Sequence, residues 1–172
     1  MKESDLWQYL RKGMIGKWHV SRIESSAGNG VPDVSFGVPG INGWIELKYI
    51  ARWPSLAKTK VKFPLRAEQK HWILNRGAVA GNVWGMVRIE DDFFLLNHEQ
   101  VIFFHVHGFT KDYWLRNVKH QWHRRIDFNI LPAILRRGYS DDLQGLDLDH
   151  TISDHHETRG RRQRHQENDT GD

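Results

Sequence analysis

The sequence Gly30-Val31-Pro32-Asp33 is followed, after twelve residues, by Glu46-Leu47-Lys48. Apolar residues recur from residue 44 to 50 in a pattern that predicts a strand, whose successive side chains point to opposite faces. Glu46 and Lys48 then share one face, while Leu47 points into the core. Residues 34–36 predict a shorter strand, and the turn between the two predicts a β-hairpin.

The hairpin places two carboxylates and one ammonium group together. Asp33, at the start of the first strand, is expected to meet Glu46 across the pair. Two carboxylates with water molecules suit a hard cation such as Mg²⁺. A lysine beside them, Lys48, can orient or deprotonate an attacking water and offset negative charge on a phosphate. Pro32 restricts the backbone before Asp33, and Gly30 allows another backbone segment to approach closely.

These motifs, GVPD and WIELK, resemble the PD-(D/E)xK nuclease superfamily, in particular its VRR-NUC and phage Holliday-junction-resolvase branches. Leu65-Arg66-Ala67-Glu68-Gln69, a predicted helix, Arg76-Gly77 and an apolar strand are similar to the segment that follows the ExK strand in that family. The resemblance covers about residues 3–89. It implies a restriction-endonuclease-like core with Mg²⁺ as cofactor, Mn²⁺ as its substitute, and branched DNA as substrate, cut by a homodimer.

The resemblance also implies roles for single residues. Asp33 and Glu46 correspond to metal ligands, Lys48 to the catalytic lysine and Gln69 to an accessory residue. Such families place a further glutamate near the metal, and two candidates remain open, Glu24 and Glu3. Glu24 is preferred, both as a catalytic residue and as a metal ligand, because a strand ending there can lie beside the hairpin. Glu3 is already explained as an acidic residue in the first turn of a helix.

The remaining pattern predicts an α/β fold with a mixed central sheet flanked by helices. Helices are predicted over residues 3–12, 66–76, 111–124 and 128–137, and further strands over 18–24, 82–89 and 93–96. Large apolar residues nearly vanish after Tyr139. We therefore expect a nuclease domain over residues 1–139 and a disordered, charged, His-rich tail over residues 140–172.

Charge is distributed unevenly between these two parts. The tail holds 4 Lys and Arg against 9 Asp and Glu, a net charge of −5, and the rest holds 21 against 12, a net charge of +9. Such a basic body suits a surface that binds phosphates. Four cations follow the predicted strand of residues 44–50, namely Arg52, Lys58, Lys60 and Lys62. We predict that they bind DNA from a loop that overhangs the site.

Several classes of protein are excluded by composition. The chain has no cysteine, which excludes disulfide frameworks, thiolate zinc sites and cysteine nucleophiles and fits a reducing compartment. No apolar run approaches the ~20 residues needed to span a bilayer, and residues 1–13 do not resemble a signal peptide. We expect a cytoplasmic protein of a bacterial or phage-infected cell with no membrane partner.

Histidines are numerous but lack the spacing of a zinc site. His105 and His107 would share a strand face and His120 and His123 a helix face, yet no nucleophile or finger spacing accompanies them. They are interpreted as part of a basic surface that faces DNA. Two alternatives to a branched-DNA nuclease stay open: a nuclease for linear duplex or single strands, and a non-catalytic DNA-binding module with a nuclease-like fold.

Overall fold

A six-stranded sheet forms the centre of the computed structural model, which describes residues 2–23, 30–79 and 82–137. The strands follow one another in the sheet in chain order. Only β3 and β4 run parallel, and every other neighbouring pair is antiparallel. The strands are β1 (His19–Arg22), β2 (Val34–Val38), β3 (Ile41–Ile50), β4 (Val83–Ile89), β5 (Asp92–Asn97) and β6 (His120–His123).

Five described helices flank the sheet: α1 (Glu3–Met14), α2 (Ala67–Ala78), α3 (His98–His107), α4 (Lys111–Asn117) and α5 (Leu131–Arg137). Helices α1 and α5 pack on one face, where Leu6, Leu10 and Leu131 join the inward side chains of β2 and β3. On the other face, Ile73 of α2, Phe104 of α3 and Trp114 of α4 pack against β4 and β5. The predicted α/β class, with a mixed sheet flanked by helices, is confirmed.

The parallel pair determines how the chain crosses the sheet. Strand β3 leads through α2 into β4, and Glu46 lies opposite Gly85 while Lys48 lies opposite Val87. Because parallel neighbours need a long connection, residues 51–79 can cover one face of the sheet before β4 begins. None of the described helices has the length and apolar composition needed to cross a lipid bilayer.

The C-terminal half departs from the prediction in two places. The helix predicted over residues 111–124 is wrong, since α4 ends at Asn117 and β6 pairs with β5. Val118 is extended there and starts a segment in which Trp122 packs on the core. Helix α3 was not predicted because its apolar residues run consecutively from Val101 to Phe104 and show no helical period. Its N-cap is Asn97, whose side chain accepts a hydrogen bond from the Gln100 N–H.

The N-terminal elements follow the prediction with shifted ends. Helix α1 extends to Met14, two residues beyond the predicted helix. Strand β1 ends at Arg22, and Glu24 lies outside the described residues. Residues 138–172 also lie outside them, so the predicted boundary at Tyr139 and the predicted disordered tail stay predictions.

Candidate metal centre

The side chains of β3 alternate between the core and a polar site. Ile45 and Leu47 are buried in the core beneath α1. Glu46 and Lys48 point to the opposite face, towards α2, as the period of a strand requires. Glu46 is fully buried and the Lys48 side chain is 11% exposed, so both groups are largely withdrawn from water.

Strand β3 is only half covered on the side of β2. The pairing of the two strands ends at Val34 and Ile45, so β3 from Glu46 onwards has no partner from β2. Asp33 occupies this opening, and its Oδ2 accepts a hydrogen bond from the Leu47 N–H at 2.8 Å. Its backbone carbonyl accepts the N–H of Ile23 at 2.8 Å, which ties it to the end of β1. The Asp33 carboxylate is thus held beside Glu46.

The first turn of α2 contributes a buried amide. The side-chain Oε1 of Gln69 accepts the backbone N–H of Arg66 at 3.1 Å, which satisfies a free donor at the start of the helix. This contact turns the amide nitrogen of Gln69 towards Glu46, where it donates to Oε1 at 2.5 Å. Gln69, predicted as an accessory residue, is thereby in direct contact with the site.

Gly30 brings the loop before Asp33 against this helix. It adopts a positive φ of 87°, and a Cβ atom there would collide with the backbone of Glu68 and Gln69. Only a glycine combines this conformation with such a close approach. Gly30 therefore fixes the distance between the Asp33 loop and α2, as the sequence predicted for it.

Helix α1 supplies a third carboxylate. The ligand oxygens of Glu3, Asp33 and Glu46 all lie within 4.8 Å of one another, and they form the one such group of His, Asp or Glu found within the described ranges. Lys48 Nζ lies 2.6 Å from Glu46 Oε1 and 3.9 Å from Glu3 Oε1. We call Glu3, Asp33, Glu46 and Lys48 the carboxylate cluster.

Electrostatics in the carboxylate cluster disfavour full ionisation. Burial, followed by the charge of Asp33, raises the pKa of Glu46 to about 7, against the opposing effect of Lys48. Burial is also the largest cause that raises the pKa of Glu3, whereas the charges of Lys48, Arg22 and Arg66 lower it. Three carboxylates face one ammonium group at close range, so the cluster has an excess of negative charge.

The donor set fits a hard divalent cation. Glu46 Oε1 already accepts from Gln69 and Lys48, but its Oε2 is buried and has no hydrogen-bond partner among the described atoms. Leaving a buried carboxylate oxygen without a partner is costly. A cation held by Glu3, Asp33 and Glu46 would be coordinated by this oxygen and would offset the repulsion among the three carboxylates. Mg²⁺ prefers such oxygen ligands.

The predicted site residues fall into three groups. Asp33, Glu46, Lys48 and Gln69 come together. Glu24, the preferred additional acid, lies outside the described residues, whereas Glu3, the other candidate, reaches the cluster. The predicted DNA-binding residues Arg52, Lys58, Lys60 and Lys62 are exposed, and within the described ranges no hydrogen bond or ion pair joins them to the cluster.

The histidines do not form the arrangement that the sequence suggested. His105 and His107 lie on α3 and not on a strand, while His120 and His123 lie on β6 and not on a helix. Because His120 and His123 are three positions apart on a strand, their side chains point to opposite faces of the sheet. His123 pairs with Asp92 at 2.8 Å, at the end of the sheet away from the carboxylate cluster.

Three charged residues near the cluster, Glu3, Arg22 and Arg66, were only partly indicated by sequence patterns. Glu3 looked like an ordinary acid at a helix N-terminus, and only the placement of α1 beside the open half of β3 reveals its other contact. Arg22 ends β1 opposite Val34, and Arg66 precedes α2. Both therefore lie near enough to Glu3 for their charges to act on it. Arg66 stands within the motif segment, which was a usable signal; nothing local pointed to Arg22.

Comparisons with known proteins give only distant similarities, all of them to solved structures. No protein-family model matches the sequence, and no curated protein matches it significantly. Solved structures that match include Hjc, a Holliday junction resolvase from the archaeal hyperthermophile Archaeoglobus fulgidus. The identity is 15% and the TM-score 0.38, over 56% of this chain and 73% of that chain. The two proteins are thus similar only at a distant level.

Proposed function

We propose that this protein is a nuclease that hydrolyses DNA phosphodiester bonds with a divalent cation, Mg²⁺ or in its place Mn²⁺, held by Glu3, Asp33 and Glu46. The observation that carries the proposal is the buried Oε2 of Glu46, which has no hydrogen-bond partner among the residues that the structure describes and lies within a group of three carboxylates. A structural ion pair would need neither the second and third acids nor an oxygen left without a donor. The sequence resemblance to PD-(D/E)xK nucleases supports the same assignment.

Each residue of the cluster has a distinct task in this reaction. A bound divalent cation supplies Lewis-acid stabilisation of the phosphate charge. Asp33 and Glu46 are held rigidly, by the Leu47 N–H and by Gln69 respectively, so their oxygens keep a fixed separation. The Lys48 ammonium group lies at the edge of the cluster, where it can donate a hydrogen bond to a phosphate oxygen. A water molecule attacks phosphorus and loses one proton to solvent, while the bond from phosphorus to the leaving oxygen breaks and that oxygen takes up one proton from solvent.

Branched DNA, a four-way junction or a flap, is the substrate class we propose, with a homodimer as the active form. The families that the sequence resembles cut such structures, and two symmetric subunits would cut two strands. Arg52, Lys58, Lys60 and Lys62 are proposed to contact the DNA backbone. A nuclease for linear duplex or single strands is the second candidate, and the carboxylate cluster fits it equally well.

A cleavage assay tests the proposed function. Labelled four-way junction, flap, linear duplex and single-stranded DNA are incubated with the full chain in Mg²⁺, Mn²⁺, Ca²⁺ or EDTA. We expect cleavage in Mg²⁺ and Mn²⁺, little turnover in Ca²⁺ because its looser geometry positions water poorly, and none in EDTA. The pattern of products separates the branched-DNA proposal from the linear-DNA candidate. Full activity in EDTA would contradict a metal mechanism.

Variants of the cluster connect the activity to these residues. Asp33→Asn and Glu46→Gln should abolish cleavage yet leave DNA binding nearly intact, because removing a carboxylate also removes repulsion against phosphate. Asp112→Asn is the matched control, since Asp112 is exposed and forms an ion pair with Arg116 on α4. Cleavage within about threefold of wild type in either cluster variant would refute the assignment. No cleavage by wild type under any condition, with DNA binding retained, would favour the non-catalytic module.

A further inference from the structure

Residues 60–66 form an extended segment with two different sides. Val61 and Phe63 are buried, at 8% and 0% exposure, and they pack in the core with α3 and α4. Lys60, Lys62, Pro64 and Arg66 alternate with them and are exposed. This alternation is that of a strand laid on a core, although only Val61 makes a β-bridge. The outer side therefore presents a cation at three of four positions.

A second segment, residues 105–111, lies against the first and carries Lys111 and two histidines. Val61 and Phe109 exchange two backbone hydrogen bonds of 2.8 and 2.9 Å, and His105 Nδ1 donates to the Phe63 carbonyl at 3.0 Å. Gly108 lies between the side chains of Lys60 and Lys62, so closely that a Cβ atom would contact both. The end of α3, with His105 and His107, thus runs beside the exposed lysines. We call residues 58–66 and 105–111 the basic ridge.

The basic ridge contains no acidic residue. No Asp or Glu occurs from residue 47 to 67 or from residue 100 to 111. Lys58, Lys60 and Lys62 have no ion pair or side-chain hydrogen bond within the described ranges, in contrast to Arg116, which pairs with Asp112. An exposed cation without a protein partner remains available to an anion from solution. Unpaired cations on a surface of fixed shape are what a phosphate backbone requires.

The ridge leads directly to the carboxylate cluster. Its last residue, Arg66, donates its backbone N–H to Gln69, which in turn donates to Glu46. An extended chain advances about 3.3 Å per residue, so the six steps from Lys60 to Arg66 span at most about 20 Å. Each base pair of a duplex rises about 3.4 Å, and the ridge therefore corresponds to about six base pairs measured from the cluster.

We propose that the basic ridge binds the phosphate backbone of a duplex DNA arm that leaves the carboxylate cluster alongside residues 60–66. The proposal rests on the proposed function, because it takes the DNA cut at the cluster to be the same molecule that the ridge holds. Backbone contacts of this kind position a substrate without reading its sequence. The ridge sets the direction of one arm, and residues 105–111 widen the contact beyond the lysines of the loop.

Salt dependence of binding tests the ridge separately from cleavage. Binding of the full chain to a four-way junction is measured by fluorescence anisotropy in EDTA over a range of salt concentrations. Each phosphate contact contributes about 0.9 to the slope of log K against log salt, so Lys60→Gln with Lys62→Gln should lower the slope by about two. Arg11→Gln with Lys12→Gln is the control, because both residues are exposed on α1, which packs on the other face of the sheet. The slope measured for this double variant should match that of wild type.

Shortening one DNA arm gives an independent readout. An arm of about four base pairs, or about 14 Å, reaches Lys62 but not Lys60, so the difference in slope between wild type and the Lys60, Lys62 variant should fall from about two to about one. Equal slopes for both double variants, or a loss that does not depend on arm length, would overturn the ridge. Ridge-dependent binding without cleavage in Mg²⁺ would instead sustain the ridge and refute the nuclease. If wild type cleaves DNA but the Lys60, Lys62 variant binds with an unchanged slope, the nuclease proposal is supported and the ridge proposal is refuted.

Discussion

Replacing Glu46 by glutamine should stabilise the metal-free protein in a pH-dependent way. Burial and the charge of Asp33 raise the pKa of Glu46 from 4.5 to about 7. In wild type, the folded chain then binds this proton more tightly than the unfolded chain. The protonated Glu46 therefore stabilises the wild-type fold fully below about pH 4.5, and this contribution is lost as the pH rises through 7. The span between the two pKa values corresponds to about 3 kcal/mol of unfolding free energy.

The variant Glu46→Gln mimics the protonated carboxyl group. Its amide oxygen can still accept from Gln69 and Lys48, the two donors that Glu46 Oε1 accepts from now. In EDTA at pH 8 we expect the variant to exceed wild type in stability by about 3 kcal/mol, and at pH 5 by about 1 kcal/mol or less. In a domain of this size, about 3 kcal/mol corresponds to a rise in Tm of roughly 10 °C.

Thermal unfolding followed by circular dichroism, between pH 5 and 8.5 in EDTA, measures the effect. Asp112→Asn removes an exposed charge and should show no such trend. Adding Mg²⁺ at pH 8 should raise the Tm of wild type, because a cation offsets the charge of the ionised cluster, and should affect Glu46→Gln much less. A Tm difference between variant and wild type that stays constant from pH 5 to 8.5 would refute the electrostatic reasoning.

Three further predictions concern the additional acid, the amide and the tail. Glu3→Gln should slow single-turnover cleavage at least tenfold, about 1.4 kcal/mol of barrier, since its carboxylate completes the cluster; Glu24→Gln, measured alongside, shows whether the residue preferred from sequence contributes as well. Gln69→Leu should slow cleavage and lower stability by about 1–3 kcal/mol in thermal unfolding, because it removes the donor to Glu46 and the acceptor for Arg66; unchanged rates would leave Gln69 a purely structural residue. Deleting residues 140–172 should change the Tm by no more than a degree or two, since few large apolar residues are lost; a large drop would place the domain boundary elsewhere.

The hairpin and the shared face of Glu46 and Lys48 were predictable because they depend on local patterns. The period of β3 fixes the faces of Glu46 and Lys48, and the helix signal before Gln69 places that amide near the same strand. Glu3 was not separable from Glu24 because its contact with the cluster depends on how α1 packs across the sheet. Helix α3 and strand β6 were missed for a similar reason: the burial of Phe104 and Trp122 by distant elements overrides their local preferences.

Leu47 connects the hydrophobic core to the carboxylate cluster. Its side chain is buried beneath α1, and its backbone N–H holds the Asp33 carboxylate on the edge of the same strand. A change in packing volume beneath α1 would therefore move an amide that sets the distance between two ligand groups. In a library selected for activity, substitutions in this apolar layer should behave like active-site substitutions and alter turnover without touching substrate. Conversely, a mutation that improves packing there need not be silent in function.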